Sequence, residues 1–192
     1  MSMIATAVEL IFDRQFTNTI VEIWKRFTVE HLQYRRHPRQ ARPHITLAVR
    51  ELSGDATDAV HALANKLTQF TVSFDAAGIF LRPRGLNHPD DSVVLFLSPT
   101  PTQALLEAHR VATKELNGWN QGKWAYYGPE QWVPHCTLAE RLAKPDVSKA
   151  LQVCGDQLDW PVTCRVCGLR LVNVGLGEME ERVSLTLPRL AV

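Results

Sequence analysis

The sequence Pro-His-Ile-Thr-Leu-Ala-Val-Arg at residues 43–50 returns as Pro-His-Cys-Thr-Leu-Ala-Glu-Arg at residues 134–141. Six of the eight positions are identical, all but the third and the seventh. The two histidines, His44 and His135, are 135 − 44 = 91 residues apart, which is close to half of the 192-residue chain. This spacing predicts a duplicated unit with one copy in each half.

Each copy alternates polar and apolar residues, as a strand with one buried face does. Successive side chains of a strand point to opposite faces. In the first copy we therefore expect His44, Thr46 and Ala48 on one face, and Ile45, Leu47 and Val49 on the other. Two such strands, related by the duplication, would direct two imidazoles and two hydroxyls into one shared cleft, those of His44, Thr46, His135 and Thr137.

The tetrapeptides His-Ile-Thr-Leu at His44 and His-Cys-Thr-Leu at His135 resemble the paired motifs of the two-histidine (2H) phosphoesterase superfamily, which includes 2′-5′ RNA ligase-like proteins and cyclic nucleotide phosphodiesterases. The resemblance covers the whole chain in layout, but in specific residues it rests on these tetrapeptides and the prolines before them. It implies an α+β fold with two pseudo-symmetric lobes, each an antiparallel sheet with packed helices, around a central cleft. It implies no cofactor and no metal.

Composition sets limits on the function. The chain is 45% hydrophobic, enough for a buried core, and we expect one bilobal domain over residues 1–192, with duplicated halves at about 1–85 and 92–192. It has neither a run of eighteen apolar residues nor a recognisable secretory signal, so we expect no membrane span and a cytoplasmic location. The net charge of +1 does not favour a broad polynucleotide-binding surface. A small nucleotide or an RNA end is the expected partner.

The order of predicted elements repeats as strand, helix, motif strand, helix, strand, strand. Predicted helices cover residues 14–31, 101–116 and 145–153, and one more begins after residues 53–55 and carries Val60, Leu63 and Leu67 on one stripe. Predicted strands cover residues 6–12, 43–50, 71–75, 78–81, 92–97, 132–139, 161–174 and 182–187. Residues 82–91, rich in Pro, Gly and Asn, are the predicted boundary between the halves.

Two histidines suit phosphodiester chemistry. One imidazole can deprotonate the attacking oxygen and the other can protonate the leaving oxygen, because the reference pKa near 6.5 makes both protonation states accessible at neutral pH. His44 and His135 are the predicted acid–base pair, acting on a 2′,3′-cyclic phosphate or a 2′-5′ linkage in hydrolysis or in the reverse ligation. Thr46 and Thr137 are predicted to donate hydrogen bonds to the non-bridging oxygens. The sequence does not say which histidine is the acid.

An aromatic segment at residues 117–132 interrupts the repeat just before the second motif. It contains Trp119, Lys123, Trp124, Tyr126, Tyr127 and Trp132. Such rings could stack a nucleobase while Lys123 approaches phosphate, and Lys123, Tyr127 and Trp132 are the candidate substrate contacts. The same rings could instead plug the interface between the lobes. Arg42, Arg50, Arg82 and Arg84 are further possible phosphate contacts, although solvated charges explain them more simply.

Two other classes of function stay open. A metal-binding protein could use both motif histidines with a cysteine, but Cys136 adjoins His135 and is expected on the opposite face of the strand. Cys164 and Cys167 have the spacing of half a zinc site without a second pair nearby, so buried reduced thiols are favoured. The other alternative is a non-catalytic module that binds a nucleotide or an RNA end. A monomer is expected because one chain supplies both halves of the site.

Overall fold

The computed structural model describes residues 4–35, 41–52, 54–81, 91–174 and 179–189. In chain order the helices and strands are β1 (Ile4–Phe12), α1 (Arg14–Val29), β2 (His44–Leu52), α2 (Thr57–Ala64), β3 (Phe70–Phe80), β4 (Ser92–Pro99), α3 (Gln103–Glu115), β5 (Cys136–Ala143), α4 (Val147–Gln157), β6 (Val162–Val174) and β7 (Met179–Thr186). Two 3-10 helices cover Gly122–Tyr127 and Lys144–Asp146. The predicted α+β class with antiparallel strands is confirmed. No helix in the described ranges is long and apolar enough to cross a membrane.

Several predicted boundaries differ from the structure by a few residues, and two of the differences change the description of a strand. Residues 71–75 and 78–81 form one strand, β3, because Asp75 is a bulge: Phe74 and Ala76 pair with adjacent residues of β4 and leave Asp75 without a partner there. Strand β5 begins at Cys136 instead of residue 132, so His135 lies immediately before the strand. The predicted boundary at residues 82–91 lies outside the described residues, apart from Asp91.

The strands form one continuous antiparallel sheet in the order β2-β1-β6-β3-β4-β5, with β7 also paired to β6. If β1 is exchanged with β4, β2 with β5 and β3 with β6, the strand order becomes its own reverse. The sheet therefore has a pseudo-twofold axis between β6 and β3. The sheet does not follow the division of the sequence into halves, because β6 pairs with β1 and β3 pairs with β4. Each lobe therefore takes one strand from the other half of the chain.

The helices cover one face of the sheet, which we call the core face. Asp13 caps α1 by accepting a hydrogen bond from the Phe16 backbone N–H at 3.0 Å. The buried stripe of α1, containing Ile20, Ile23 and Phe27, belongs to the main hydrophobic core. Helix α1 also contacts α4, and α2 contacts α3, so the helix pairs mix the two halves as the sheet does.

A bulge in each motif strand changes the predicted alternation. Val8 pairs with Ala48 and Glu9 pairs with Thr46, so Leu47 has no partner in β1. Leu47 and Ala48 both join the main core, whereas Val49 belongs to a separate cluster on the opposite face. The predicted faces of Ala48 and Val49 were therefore wrong, since strict period-two alternation does not survive a bulge.

The second motif has the same bulge at Leu138. Thr137 pairs with Phe96 and Ala139 pairs with Leu95, and both Leu138 and Ala139 lie in the main core. The repeated Leu-Ala pair is thus explained by two consecutive core-facing residues in each motif. We call the opposite face of the sheet, which carries the motif threonines, the site face.

Gly168 in β6 offers a test of the close packing around the sheet. An added Cβ would clash with the Leu185 backbone oxygen and lie 3.0 Å from Ile11, so Gly168→Ala should destabilise the protein by about 1–3 kcal/mol. Gly155→Ala is the matched control: its Cβ would meet nothing within 4 Å on α4, and we expect a gain of up to about 1 kcal/mol. Urea unfolding measures both. Equal midpoints for Gly168→Ala and the wild type would contradict this account of the packing.

Candidate active site

His44 is held by contacts at both ring nitrogens. Its Nδ1 lies 2.7 Å from the backbone oxygen of Arg42, two residues earlier. A carbonyl oxygen only accepts, so Nδ1 carries a proton and donates it there. The Nε2 atom lies 3.3 Å from Oε1 of Glu9 on β1. The half-buried ring is therefore fixed by its own chain on one side and by a carboxylate on the other.

His135 has the same backbone tether and different surroundings. Its Nδ1 lies 2.7 Å from the backbone oxygen of Val133, again two residues earlier. The ring meets the ring of Phe80 edge-on, with centroids 5.0 Å apart, and lies 5.4 Å from that of Phe96. In both motifs the X-Pro-His segment fixes Nδ1, which leaves Nε2 as the nitrogen available for proton transfer.

The curved sheet brings its two end strands, β2 and β5, together. The Cys136 thiol on β5 lies within hydrogen-bonding reach of the His44 backbone on β2. Burial lowers the pKa of His135 below its ordinary value, and the nearby charge of His44 lowers it further, while the Val133 carbonyl and Glu140 act in the opposite direction. The two predicted histidines are therefore close enough to act on each other electrostatically.

The cysteines belong mostly to the interior. Cys136 joins the main core, on the face opposite to the motif threonines, as predicted. Burial raises the pKa of the Cys136 and Cys154 thiols to about 12, and it also raises the pKa of Cys164. Cys167 is partly exposed, and all four thiols are free. Within the described residues, no group of three or more His, Cys, Asp or Glu side chains is arranged to hold a metal ion.

The two predicted threonines follow their histidines along the site face. Thr46 is only 8% exposed, and its hydroxyl hydrogen-bonds with Tyr127. Its backbone oxygen accepts a hydrogen bond of 3.0 Å from Nε1 of Trp132. Thr137 is half-buried and pairs with Phe96 on β4. Thr46 is thus the more enclosed of the two hydroxyls.

The aromatic segment docks on the edge of β2. Asn120 donates its backbone N–H to the Val49 oxygen at 3.0 Å, and its side-chain oxygen accepts from the Val49 N–H at 2.8 Å. Asn120 has φ +57°, a left-handed conformation that asparagine tolerates better than most residues. Trp124 and Tyr127 then pack against the small cluster around Val49. These two rings are therefore packed against the site face of β1, β2 and β6, the strands that carry the cluster.

Trp132 lies nearer to the motif than the rest of the segment. It is half-buried and bonds to the Thr46 backbone, and its ring stacks on His109 with centroids 3.9 Å apart and planes 4° from parallel. His109 Nε2 lies 2.8 Å from the Tyr127 backbone oxygen, and burial lowers the pKa of its imidazole. His109, which no pattern in the sequence singles out, thus fixes the position of Trp132.

Lys123 lies away from the histidines. It forms an ion pair with Glu51, which is seven residues beyond His44 on β2, roughly 23 Å at 3.3 Å per strand residue. Together with Arg50, Gln121 and Trp124 it lines a separate surface cavity of about 360 Å³. The structure therefore does not bring Lys123 to the histidine pair.

Of the other basic residues considered, Arg42 adjoins the first motif, and its side chain lies 3.8 Å from Glu181. Arg50 belongs to the surface cavity of Lys123. Arg82 and Arg84 lie outside the described residues.

The sequence analysis missed a buried ion pair beside His44. Arg170 on β6 donates from Nε to Oε2 of Glu9 at 2.6 Å, and the two side chains are 0% and 2% exposed. The available signal was a single charge inside each of two largely apolar runs, Ala5-Thr-Ala-Val-Glu-Leu-Ile-Phe12 and Gly168-Leu-Arg-Leu-Val172. Charged residues are rarely fully buried without a partner, so two such positions could have been matched to each other.

Comparison with known proteins agrees with this geometry. A family model described as the 2′-5′ RNA ligase superfamily matches residues 14–178. No curated protein matches the chain as a relative. The fold is similar to Escherichia coli LigT in its apo form, with a TM-score of 0.60, 18% identity and coverage of 98% of this chain and 100% of LigT. It is also similar to a protein described as a phosphoesterase, with a TM-score of 0.61, 19% identity and the same coverage.

A third similar structure is TT0787 of Thermus thermophilus, with a TM-score of 0.59, 16% identity and coverage of 97% of this chain and 100% of that one. At these identities the three structures support the fold. The family match extends over most of the chain and includes both His-x-Thr motifs, so the resemblance inferred from those motifs is confirmed. This chain belongs to the 2′-5′ RNA ligase superfamily, the 2H phosphoesterases.

Proposed function

We propose that this protein is a phosphodiesterase that uses His44 and His135 as an acid–base pair, without a metal, on a 2′,3′-cyclic phosphate or a 2′-5′-linked nucleotide. The observation that carries the proposal is the matched tether of the two rings: each Nδ1 donates to the carbonyl two residues earlier, so proton transfer by either ring runs through Nε2. Structures of the similar LigT complexed with phosphate and with 3′-AMP support a ligand of this class.

The surroundings of the two imidazole rings support different roles for them, one as the base and the other as the acid. His135, whose pKa is lowered by burial, acts as the base: its Nε2 takes a proton from water as the water oxygen bonds to phosphorus. The bond from phosphorus to one ribose oxygen breaks, and that oxygen takes a proton from Nε2 of His44. The hydroxyls of Thr46 and Thr137 donate to the non-bridging oxygens. With the 5′-hydroxyl of a second nucleotide in place of water, the same pair would form a 2′-5′ linkage: His135 takes the proton of the hydroxyl as its oxygen bonds to phosphorus, and the departing ribose oxygen takes the proton of His44.

The aromatic residues have different parts in this proposal. Trp132 remains the proposed contact for the nucleobase, because it is half-exposed and lies beside the motif strand. Tyr127 is proposed to act through Thr46, whose hydroxyl it meets. Burial raises the pKa of Tyr127, so its phenol stays neutral and can hold a hydrogen bond without adding charge next to the phosphate.

The first test is turnover of three substrates in EDTA: a 2′,3′-cyclic mononucleotide, a cyclic-phosphate-ended RNA and a 2′-5′ dinucleotide. His44→Ala and His135→Ala should each lower kcat by about 10²–10⁴, the usual contribution of acid or base catalysis. His61→Ala, on the exposed side of α2, is the matched control and should retain wild-type turnover.

Activity within a few-fold of wild type in either motif variant would exclude the acid–base assignment. Binding of a cyclic nucleotide without turnover of any of the three substrates would instead favour the non-catalytic binding module.

The pH dependence offers a second test. A base must be unprotonated, so kcat/KM should rise with pH as His135 loses its proton. Because burial and the charge of His44 lower the pKa of His135, the midpoint of this acidic limb should fall below the ordinary 6.5. Initial rates between about pH 4 and 9 at low substrate concentration measure it. A midpoint above 6.5 would contradict the assignment of His135 as the base.

A further inference from the structure

The two lobes differ at one pair of equivalent positions next to the motifs. In the first lobe Thr46 pairs across the sheet with Glu9, and Glu9 pairs with Arg170. The pseudo-twofold relation carries β1 onto β4 and β6 onto β3. The residue equivalent to Glu9 is therefore the β4 partner of Thr137, which is Phe96. Both motifs thus have the histidine and the threonine, but the first lobe has a carboxylate where the second lobe has an aromatic ring.

The second lobe is built around that ring. Phe96 pairs with Gly78, the equivalent of Arg170, and a Cβ on Gly78 would lie 2.6 Å from the Phe96 ring. The absence of a side chain at Gly78 thus makes room for the ring, which stacks on Phe80 with centroids 4.3 Å apart. Both rings meet His135. This side of His135 is therefore apolar.

The first lobe places a charge at the same point. The two carboxylate oxygens of Glu9 have different partners. Oε2 accepts a hydrogen bond from Arg170 Nε at 2.6 Å, and Oε1 lies 3.3 Å from His44 Nε2. Nδ1 of His44 is already committed as a donor to the Arg42 carbonyl. An unprotonated Nε2 would face the carboxylate with its lone pair, which is unfavourable. Both nitrogens of His44 thus have acceptors, the pattern of a protonated imidazole.

The remaining charges around His44 largely offset one another. Arg170 Nη2 lies 3.3 Å from His44 Nδ1 and opposes its protonation, but Arg170 also lies 3.7 Å from Glu181. Glu181 in turn lies 3.8 Å from the side chain of Arg42. These groups belong to β6, β7 and the segment before β2.

The other strands packed near the pair add little opposing charge. His135 immediately precedes β5, and Glu140 on β5, whose charge acts on His135, lies 3.5 Å from Arg35. Tyr127, from the aromatic segment, lies near Glu9 and is neutral. Cys136 contributes a thiol whose pKa of about 12 keeps it uncharged.

Arg170 also has a role toward Glu9. A carboxyl group buried as deeply as that of Glu9 would be favoured in its neutral form without a cationic partner. The hydrogen bond from Arg170 favours the ionised form. Arg170 therefore keeps Glu9 available as an anion for His44.

We infer that Glu9, oriented and kept ionised by Arg170, is a positioning residue that holds His44 in its protonated form, and that Phe96 at the equivalent position leaves His135 neutral. Two closely similar motifs thereby receive opposite roles, acid and base. The inference rests on the proposed function for its catalytic meaning. The protonation of His44 itself can be measured without any turnover.

The test uses ¹⁵N NMR titration of the histidine rings in the full chain, assigned with His44→Ala and His135→Ala. In Glu9→Gln, the pH at which His44 loses its proton should fall by about one unit, because the nearest anion is gone. The alkaline limb of kcat/KM should move down with it, while the acidic limb due to His135 stays in place. Glu9→Asp, which keeps the charge, should recover part of the shift.

Glu181→Gln is the matched control, since it removes one carboxylate from Arg170 without removing a contact to His44. It should leave the His44 titration nearly unchanged. Because Glu9→Gln leaves Arg170 buried without its partner and could unfold the protein, the double variant Glu9→Gln/Arg170→Gln removes both charges together. It should still show a fall for His44, but a smaller one, because the charge of Arg170, which opposes protonation of His44, is lost as well.

Unchanged titration of His44 in folded Glu9→Gln, or in the double variant, would overturn the inference. An equal fall in Glu181→Gln would also overturn it, because the effect would then reflect the general field of the carboxylates. A wild type that turns over none of the three substrates would refute the proposed function separately, while the titration would still decide the role of Glu9.

Discussion

The pairing of β6 with both β1 and β3 is the constraint on which the rest of the structure depends. Val166 in β6 pairs with Phe12 on one side and with Phe70 on the other, so β6 joins the two lobes. This arrangement places the two motif strands at opposite ends of the sheet order, and the curvature of the sheet brings them together again. The site depends on long-range strand pairing between the halves, and neither half could form it alone.

Within the sheet, both motifs orient their histidine and anchor their strand in the same way. A proline precedes each histidine, and the histidine Nδ1 reaches back to the carbonyl of the residue before the proline. The bulge after each threonine then turns two residues, Leu and Ala, into the core, which anchors the strand just beyond the reactive side chains. The backbone fixes the tautomer of each histidine, and the core fixes the strand that follows it. Each imidazole ring therefore has a defined orientation.

The asymmetry between the lobes lies outside the motifs. A buried ion pair beside one histidine and stacked aromatic rings beside the other create different electrostatic surroundings for the same side chain. A buried ion pair is not in itself strong evidence of stability, because desolvation offsets much of its attraction. Its place between Arg42, His44 and Glu181 is better explained by the control of charge at the site than by a contribution to folding.

The sequence by itself determined the repeated motif, the helices, most strands and the family, and it singled out the two histidines with their threonines as candidates for the site. These features depend on local periodicity and on residues repeated in matching context, which are visible along the chain. Only the tertiary structure decided that β3 and β6 are exchanged between lobes and that Val49 turns to the site face. It also decided that Lys123 pairs with Glu51, far from His44, and that Glu9 meets Arg170. Each of these depends on strand register or on contacts between residues distant in sequence, Glu9 and Arg170 being 161 residues apart. The periodicity and spacing of residues can be read from a single sequence, but the register between paired strands cannot. That register decides which side chains contact one another.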